Sequence, residues 1–223
     1  MTFSGILNIN KPVGMTSYDV IRRLKKHYPR GTKIGHAGTL DPMAEGVLPI
    51  AIGKATKSIP LLPKDKRYLA DILLGMSTTT DDREGDVLQE CDCSAISQSI
   101  VEEALQKNFV GKIQQKVPLF SAVHRDGQRL YDLARKGEVI DFDDLPEKTV
   151  EIFSIEMLSF ASETTEHGTH LRIILNIHCG SGTYIRSLAR DLGRLLGVCG
   201  SLAGLRRTLS GGLVIEDSMR IEE

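Results

Sequence analysis

The sequence predicts an α/β protein of the α+β type, and three observations carry that expectation. Alternating apolar runs such as Gly5–Asn10 and Tyr68–Leu74 are strand-like, Val20, Ile21 and Leu24 recur at helical spacing, and the two patterns are interspersed along all 223 residues. No internal repeat or low-complexity stretch breaks the chain, so one domain is expected over residues 1–223. A hydrophobic share of 41% against 26% charged residues excludes a disordered chain. No apolar run reaches the ~20 residues of a membrane span, and no basic segment precedes an apolar one at the start, so the expected compartment is the cytoplasm. Cys91, Cys93, Cys179 and Cys199 are then expected as reduced thiols. Cys91-Asp-Cys93 lacks a second close Cys/His pair, and no metal is expected.

The elements follow in order. Gly5–Asn10 opens the chain as a strand, and Pro12 and Gly14 turn it. Ser17–Tyr28 reads as a helix with its basic side chains opposite the apolar stripe, stopped by Pro29. Three glycines and Pro42 between Gly35 and Gly46 preclude a helix or central strand and leave a shaped loop. Val47–Ile52 is a buried strand fixing one end of that loop, and 54–67 is a Lys- and Pro-rich connection. Tyr68, Ala70, Ile72 and Leu74 share one face of the next strand. Thr78–Asp86 is an acidic, turn-rich structural connection. Ser99 with Glu102 forms a capping box for a helix ending near Gly111, and Gly137 closes a helix over Gln128–Lys136. Asp141–Glu147 is an acidic linker. Val150–Phe160 and His170–His178 are strands joined by a longer loop over Ser162–Thr169. After Cys179, two glycines precede an amphipathic helix. That arrangement suits a phosphate, but the Gly-Lys-Thr/Ser of a nucleotide loop is missing.

The Gly35–Gly46 loop presents His36, Asp41 and Glu45. Pro42 restricts the backbone of Asp41 and so the reach of its carboxylate. Alone, an Asp-Pro pair reads as a turn whose carboxylate satisfies backbone amides, whereas a carboxylate on a stiff loop also serves as nucleophile or acid/base. The net charge is −1, yet Lys11–Leu69 holds twelve Lys/Arg against four acids. That local positive field suits a phosphate backbone better than a neutral metabolite.

Gly-His-Ala-Gly-Thr-Leu-Asp-Pro (35–42), with Ala-Glu-Gly-Val-Leu-Pro-Ile-Ala-Ile-Gly-Lys-Ala-Thr-Lys (44–57), resembles the catalytic motif of the TruB family of pseudouridine synthases. Lys66-Arg67-Tyr68, Gly-Thr-Tyr-Ile-Arg-Ser-Leu (182–188) and Leu205-Arg206-Arg207-Thr208 are similar to the family's further motifs, in the same order. The resemblance implies the pseudouridine synthase fold, a mixed, mainly antiparallel sheet flanked by helices. It also implies that Asp41 initiates isomerisation of a T-loop uridine (position 55) of tRNA and that Arg186 pairs with Asp41. Tyr68 is implied to stack on the uracil and accept a proton late in the reaction. Tyr184 and Leu205 would wall the pocket, and His36 would stack or hydrogen-bond in place of the flipped base. Arg206 and Arg207 read as phosphate contacts, and Lys11 as a turn residue with an exposed amine ahead of an RNA contact. Breaking C1′–N1 and joining C1′ to C5 changes no redox state, so no cofactor is implied. The implied partner is tRNA, without guide RNA or membrane, and the implied state is a monomer. The sequence departs from the family at Phe120 and His124, where Tyr and Lys commonly stand, and no counterpart of the family's small C-terminal RNA-binding (PUA-like) domain is expected after Arg207. Three rivals stand beside this reading: a guide-dependent synthase related to the H/ACA enzymes, a non-enzymatic tRNA-binding folding factor and, more distantly, a hydrolase using Asp41, for which no second acid/base partner is evident nearby.

Overall fold

The computed structural model describes residues 3–125, 127–138, 140–165 and 168–221. Asp126 in the motif around His124, and Glu166 and His167 in the expected Ser162–Thr169 loop, lie outside the described residues. In chain order the elements are β1 (Gly5–Lys11), α1 (Ser17–Lys25), β2 (Ile34–His36), β3 (Ala44–Ile52), a 3-10 helix (Gly53–Leu61), β4 (Lys66–Leu74), β5 (Met76–Thr78), β6 (Val87–Glu90), α2 (Gln98–Asn108) and β7 (Gly111–Lys116). There follow β8 (His124–Arg125), β9 (Gln128–Arg129), α3 (Leu130–Arg135), β10 (Glu147–Thr165), β11 (Gly168–Cys179), α4 (Ile185–Leu195), β12 (Gly200–Ser210), β13 (Leu213–Val214) and β14 (Met219–Arg220). They form two compact units, one of residues 3–69 and 205–221, the other of 70–204, and β4 and β12 run from one into the other.

In the first unit β3 is the central strand. It pairs antiparallel with β1, from Gly5↔Ile52 to Lys11↔Gly46, and with β2, and parallel with β12 from Leu205↔Ala44 to Arg207↔Gly46. One face is covered by α1, whose Val20 and Ile21 pack on Ile9, Leu48, Ile50 and Ile52. Full burial of such side chains is worth about 1.5–3 kcal/mol each. A reciprocal Thr16–Asp19 capping box starts α1, and Arg22, Arg23 and Lys25 in its last turn suit the negative end of the helix dipole. The helix ends before the expected Tyr28. There the amides of Lys26, His27 and Tyr28 bond to carbonyls three residues back, at Arg23, Leu24 and Lys25, which tightens the chain ahead of Pro29. Both ends of the expected loop are strand: β2 reaches His36 and β3 starts at Ala44.

In the second unit β4 lies between β12 and β11, with β10 and β7 beyond. β10 pairs antiparallel with both β11 and β7. The β10–β11 ribbon pairs as far as Thr165↔Gly168, longer than the runs expected at Val150–Phe160 and His170–His178 because its outer part is polar and escapes an apolar pattern. Leu188, Ala189 and Leu192 of α4 are buried, as are Ala70, Ile72 and Leu74 of β4. The cap of α2 is Ser97 rather than Ser99, since it is the Ser97 hydroxyl that accepts from the Ile100 amide. Gln128 and Arg129 form β9, and α3 begins only at Leu130.

The expectation of four reduced thiols is corrected. Cys91 and Cys199 form a disulfide, with Cα atoms 5.7 Å apart. Gly75 holds both backbones in reach, donating its amide to the Cys199 carbonyl and accepting from the Cys91 amide. Cys93 and Cys179 are buried and stand outside any disulfide. Among the described residues no helix is long and apolar enough to cross a membrane.

Candidate active site

The loop that carries Asp41 is held by its backbone. Arg207, fully buried on β12, donates Nε to the Val47 carbonyl at 2.7 Å, Nη1 to that of Thr39 at 3.1 Å and Nη2 to that of Gly38 at 3.1 Å. A guanidinium presents its N–H groups in a rigid fork, so one side chain fixes both the start of the loop and the strand that follows it. The expected phosphate contact at Arg207 is therefore corrected: strand alternation turns Arg207 inward, while its neighbour Arg206 faces out and pairs with Glu45 at 3.1 Å.

Lys11 is fully buried as well. Its ammonium donates to the carbonyls of Met15 at 2.6 Å, Pro12 at 2.9 Å and Pro42 at 3.4 Å. The structural role expected of it holds, but its amine is enclosed rather than exposed. Ser17 adds a reciprocal pair, its hydroxyl accepting from the Leu40 amide at 2.8 Å and donating to the Leu40 carbonyl at 3.0 Å. Pro42 also accepts from the Gly14 amide, and the Ala44 amide closes a turn onto the Asp41 carbonyl. Asp41, half-buried, thus sits between Leu40 and Pro42, both of which are tied to the first turn and α1. Gly46 allows β12 to approach: with φ of 111°, a Cβ there would stand 2.2 Å from the Arg207 carbonyl oxygen.

His36 pairs with Ile50 across β2 and β3 and is partly buried. Burial, reinforced by the positive charge of Arg207, holds its imidazole below the ordinary histidine range. Its Nδ1 is buried and has no hydrogen-bond partner among the described residues. Tyr68 is buried near the start of β4, and Leu205 lies in register with Ala44 beside the loop. His36, Asp41, Tyr68 and Leu205 therefore all belong to the first unit.

Tyr184 and Arg186 belong to the second. Tyr184 is the residue before α4, and Gln115 accepts from its amide at 2.8 Å while donating to its carbonyl at 3.0 Å. Its ring packs on the cluster of Val117, Leu130 and Leu133. Arg186 is buried in the first turn of α4, donating Nη1 to the Thr80 carbonyl and Nη2 to the Phe120 carbonyl, each at 3.0 Å. Its Nε stands 3.6 Å from a carboxylate oxygen of the buried Asp82, which also accepts from the Thr80 hydroxyl and the Glu84 amide. The departure at Phe120 leaves this contact intact, because the backbone makes it. Asp81 pairs with Arg190 at 3.0 Å; burial raises its carboxyl above the ordinary range, against the lowering effect of Arg190 and Arg186. The acidic stretch Thr78–Asp86 is thus a seat for Arg186 and Arg190 of α4, in keeping with its reading as a structural connection.

Sequence reasoning missed the clamp of Arg207, the Ser17–Leu40 tie, the Gln115 pair and the Asp82 seat. The alternation of β12 could have separated Arg206 from Arg207; the other three join residues far apart in sequence and leave no local signal. Among the described residues no three His, Cys, Asp or Glu side chains are placed to hold a metal ion.

The fold is that of the pseudouridine synthases. The chain is similar to one in the crystal structure of a Cbf5-Nop10-Gar1 complex, with 29% identity and a TM-score of 0.69 over 99% of this chain and 53% of that one. It is similar at 27% identity and a TM-score of 0.66 to a chain of an H/ACA RNP bound to a substrate RNA containing 2'-deoxyuridine, covering 97% of this chain and 50% of that one. It thus spans about half the length of these solved chains. A model described as TruB family pseudouridylate synthase (N terminal domain) matches residues 24–185. Relatives named tRNA pseudouridine synthase B from Synechococcus elongatus, 49% identical over all of this chain and 73% of theirs, and Trichormus variabilis, 47% identical over 98% and 71%, agree with it. The chain belongs to the TruB family of pseudouridylate synthases.

Proposed function

We propose that this chain isomerises the T-loop uridine of tRNA to pseudouridine, without guide RNA or cofactor, as a monomer in the cytoplasm. The observation that supports it most is the Asp41 loop, whose motif resembles the family's and whose backbone is fixed at Gly38, Thr39, Leu40 and Pro42 by Arg207, Ser17 and Lys11. A carboxylate that must meet one sugar carbon gains from such fixing, since effective molarity depends on a near-attack geometry. The names of the relatives point to tRNA.

In this reading the uridine is flipped out of the T-loop. Asp41 either attacks C1′ or abstracts a sugar proton, and the C1′–N1 bond breaks. The uracil turns and C1′ joins C5 as the Asp41 carboxylate leaves C1′ or returns the sugar proton; the C5 proton is then lost and N1 gains one. Arg186 aims Asp41, Tyr68 stacks on the uracil and takes the late proton, Tyr184 and Leu205 keep the freed base in place, and His36 stacks or hydrogen-bonds in place of the flipped base.

The test is tritium release from an unmodified tRNA transcript labelled at uridine C5, with wild type and Asp41→Asn and no guide RNA. Release by wild type alone, lost when the T-loop uridine is replaced, supports the proposal. Release that requires an added guide would favour the H/ACA-like reading, to which the likeness to H/ACA chains lends its weight. Binding without release would favour a folding factor.

A further inference from the structure

Beyond the residues that hold the loop, the first unit carries an open groove of about 730 Å³. It runs between the end of α1, the turn at residues 29–32, β2 and the 3-10 helix. Lys25, Arg30 and Lys33 line it, with Tyr28 and Ile34 turned partly into the core. No acidic residue lines it, and Lys25, Arg30 and Lys33 are exposed without a carboxylate partner among the described residues. Lys54 and Lys57 stand exposed on the adjoining 3-10 helix. The turn is preformed: the Thr32 amide and hydroxyl both bond to the Pro29 carbonyl, at 3.1 and 2.7 Å, and Gly31 has φ of 85°.

The groove borders the strand that leads to the loop. Gly35 lines it, and the next residue along β2 is His36. Its three cations line an open groove and are themselves exposed, which fits a chain of phosphates better than a single enclosed anion. From this placement we infer that the groove binds the phosphodiester backbone of the RNA substrate, as a docking track that feeds the Asp41 loop. The inference rests on the RNA reading of the site.

Each phosphate neutralised in this way releases a counterion, and the logarithm of the binding constant falls with the logarithm of salt concentration by about 0.7–0.9 per contact. Replacing Lys25, Arg30 and Lys33 together by Gln should flatten that slope by about two to three. The single variants should each flatten it by about one. Lys25→Arg with Lys33→Arg should keep the wild-type slope. Removal of two charges elsewhere, Lys107→Gln with Lys112→Gln, should leave it unaltered. Binding of a tRNA transcript is measured between 50 and 200 mM salt, roughly the range over which such contacts dominate, on protein whose urea midpoint matches wild type. A slope in the triple and single variants equal to wild type overturns the inference, even if wild type isomerises tRNA. A flattened slope with no tritium release from any protein sustains the groove and removes the proposed activity. Absence of tRNA binding by wild type removes both.

Discussion

Replacing Arg207 by Met tests whether the active loop is held by its backbone. Arg207 has no exposed surface and donates three hydrogen bonds, to the carbonyls of Gly38, Thr39 and Val47. Methionine roughly fills the volume of the stem but donates nothing, so three carbonyls lose their partner. Hydrogen bonds to a charged group contribute about 1.5–3 kcal/mol each. They do not add fully, because the charge is relieved of its own burial cost when removed. A net loss of about 3 kcal/mol is expected, read as a lower urea midpoint with unchanged slope. The loss should fall unevenly, since Gly38 and Thr39 begin the loop while Val47 lies in β3, which β1 and β2 also hold. Displacement of the loop by about 1 Å is enough for a hundredfold fall in turnover. Single-turnover tritium release at a temperature where the variant is fully folded should show that fall. Arg207→Lys, with one ammonium in place of the fork, should retain more stability than Met yet still lose most of the rate. A Met variant that is fully folded and turns over like wild type would refute the reasoning.

Asp82→Asn removes the carboxylate 3.6 Å from Arg186 Nε but keeps an oxygen for Thr80 and Glu84; because both side chains are buried, a stability loss of about 3–5 kcal/mol is expected by urea denaturation, with a lower single-turnover rate than the loss of folded protein explains. The third prediction concerns pH. The folded pKa of His36 lies below its unfolded value, so the unfolded state takes up the proton first and stability falls as pH drops below the ordinary histidine range toward the folded value. The wild-type melting temperature should therefore decline as pH falls below about 6.5, and His36→Gln should remove part of that decline.

Much of the fold was legible because periodicity survives wherever one face is buried. Tyr68, Ala70, Ile72 and Leu74 alternate and are buried as expected, and Val20 and Ile21 mark the inner side of α1. Patterning fails where both faces are wet, as in the outer β10–β11 ribbon, and where two candidates are chemically equal, as with Ser97 and Ser99 at the start of α2. The disulfide was illegible for another reason: composition speaks to the compartment, whereas Cys91 and Cys199 meet through Gly75, and their sequence separation is 108. At the site, the motif located the loop and named Asp41. What fixes that loop came from Lys11, Ser17 and Arg207, which sequence could weigh only as a surface amine, a helix start and a phosphate contact.

These residues change how the charge segregation is to be understood. The positive excess of Lys11–Leu69 counts every cation alike, but the structure sorts this protein's cations into two populations. Lys11, Arg186 and Arg207 are buried and spend their donors on carbonyls. A guanidinium or ammonium suits that task because it donates several hydrogen bonds and accepts none. Lys25, Arg30, Lys33, Lys54 and Lys57 are exposed and leave their charge to solvent. The first population sets geometry at low effective dielectric, where salt screens little; the second sets a field that decays within about 8 Å at physiological ionic strength. The two therefore separate experimentally: substitutions at Lys11 or Arg207 should lower stability and turnover about equally at every salt concentration, whereas those along the groove should weaken binding most at low salt. Local net charge in a sequence is thus an upper limit on the field a substrate meets, and strand alternation is the first correction to it.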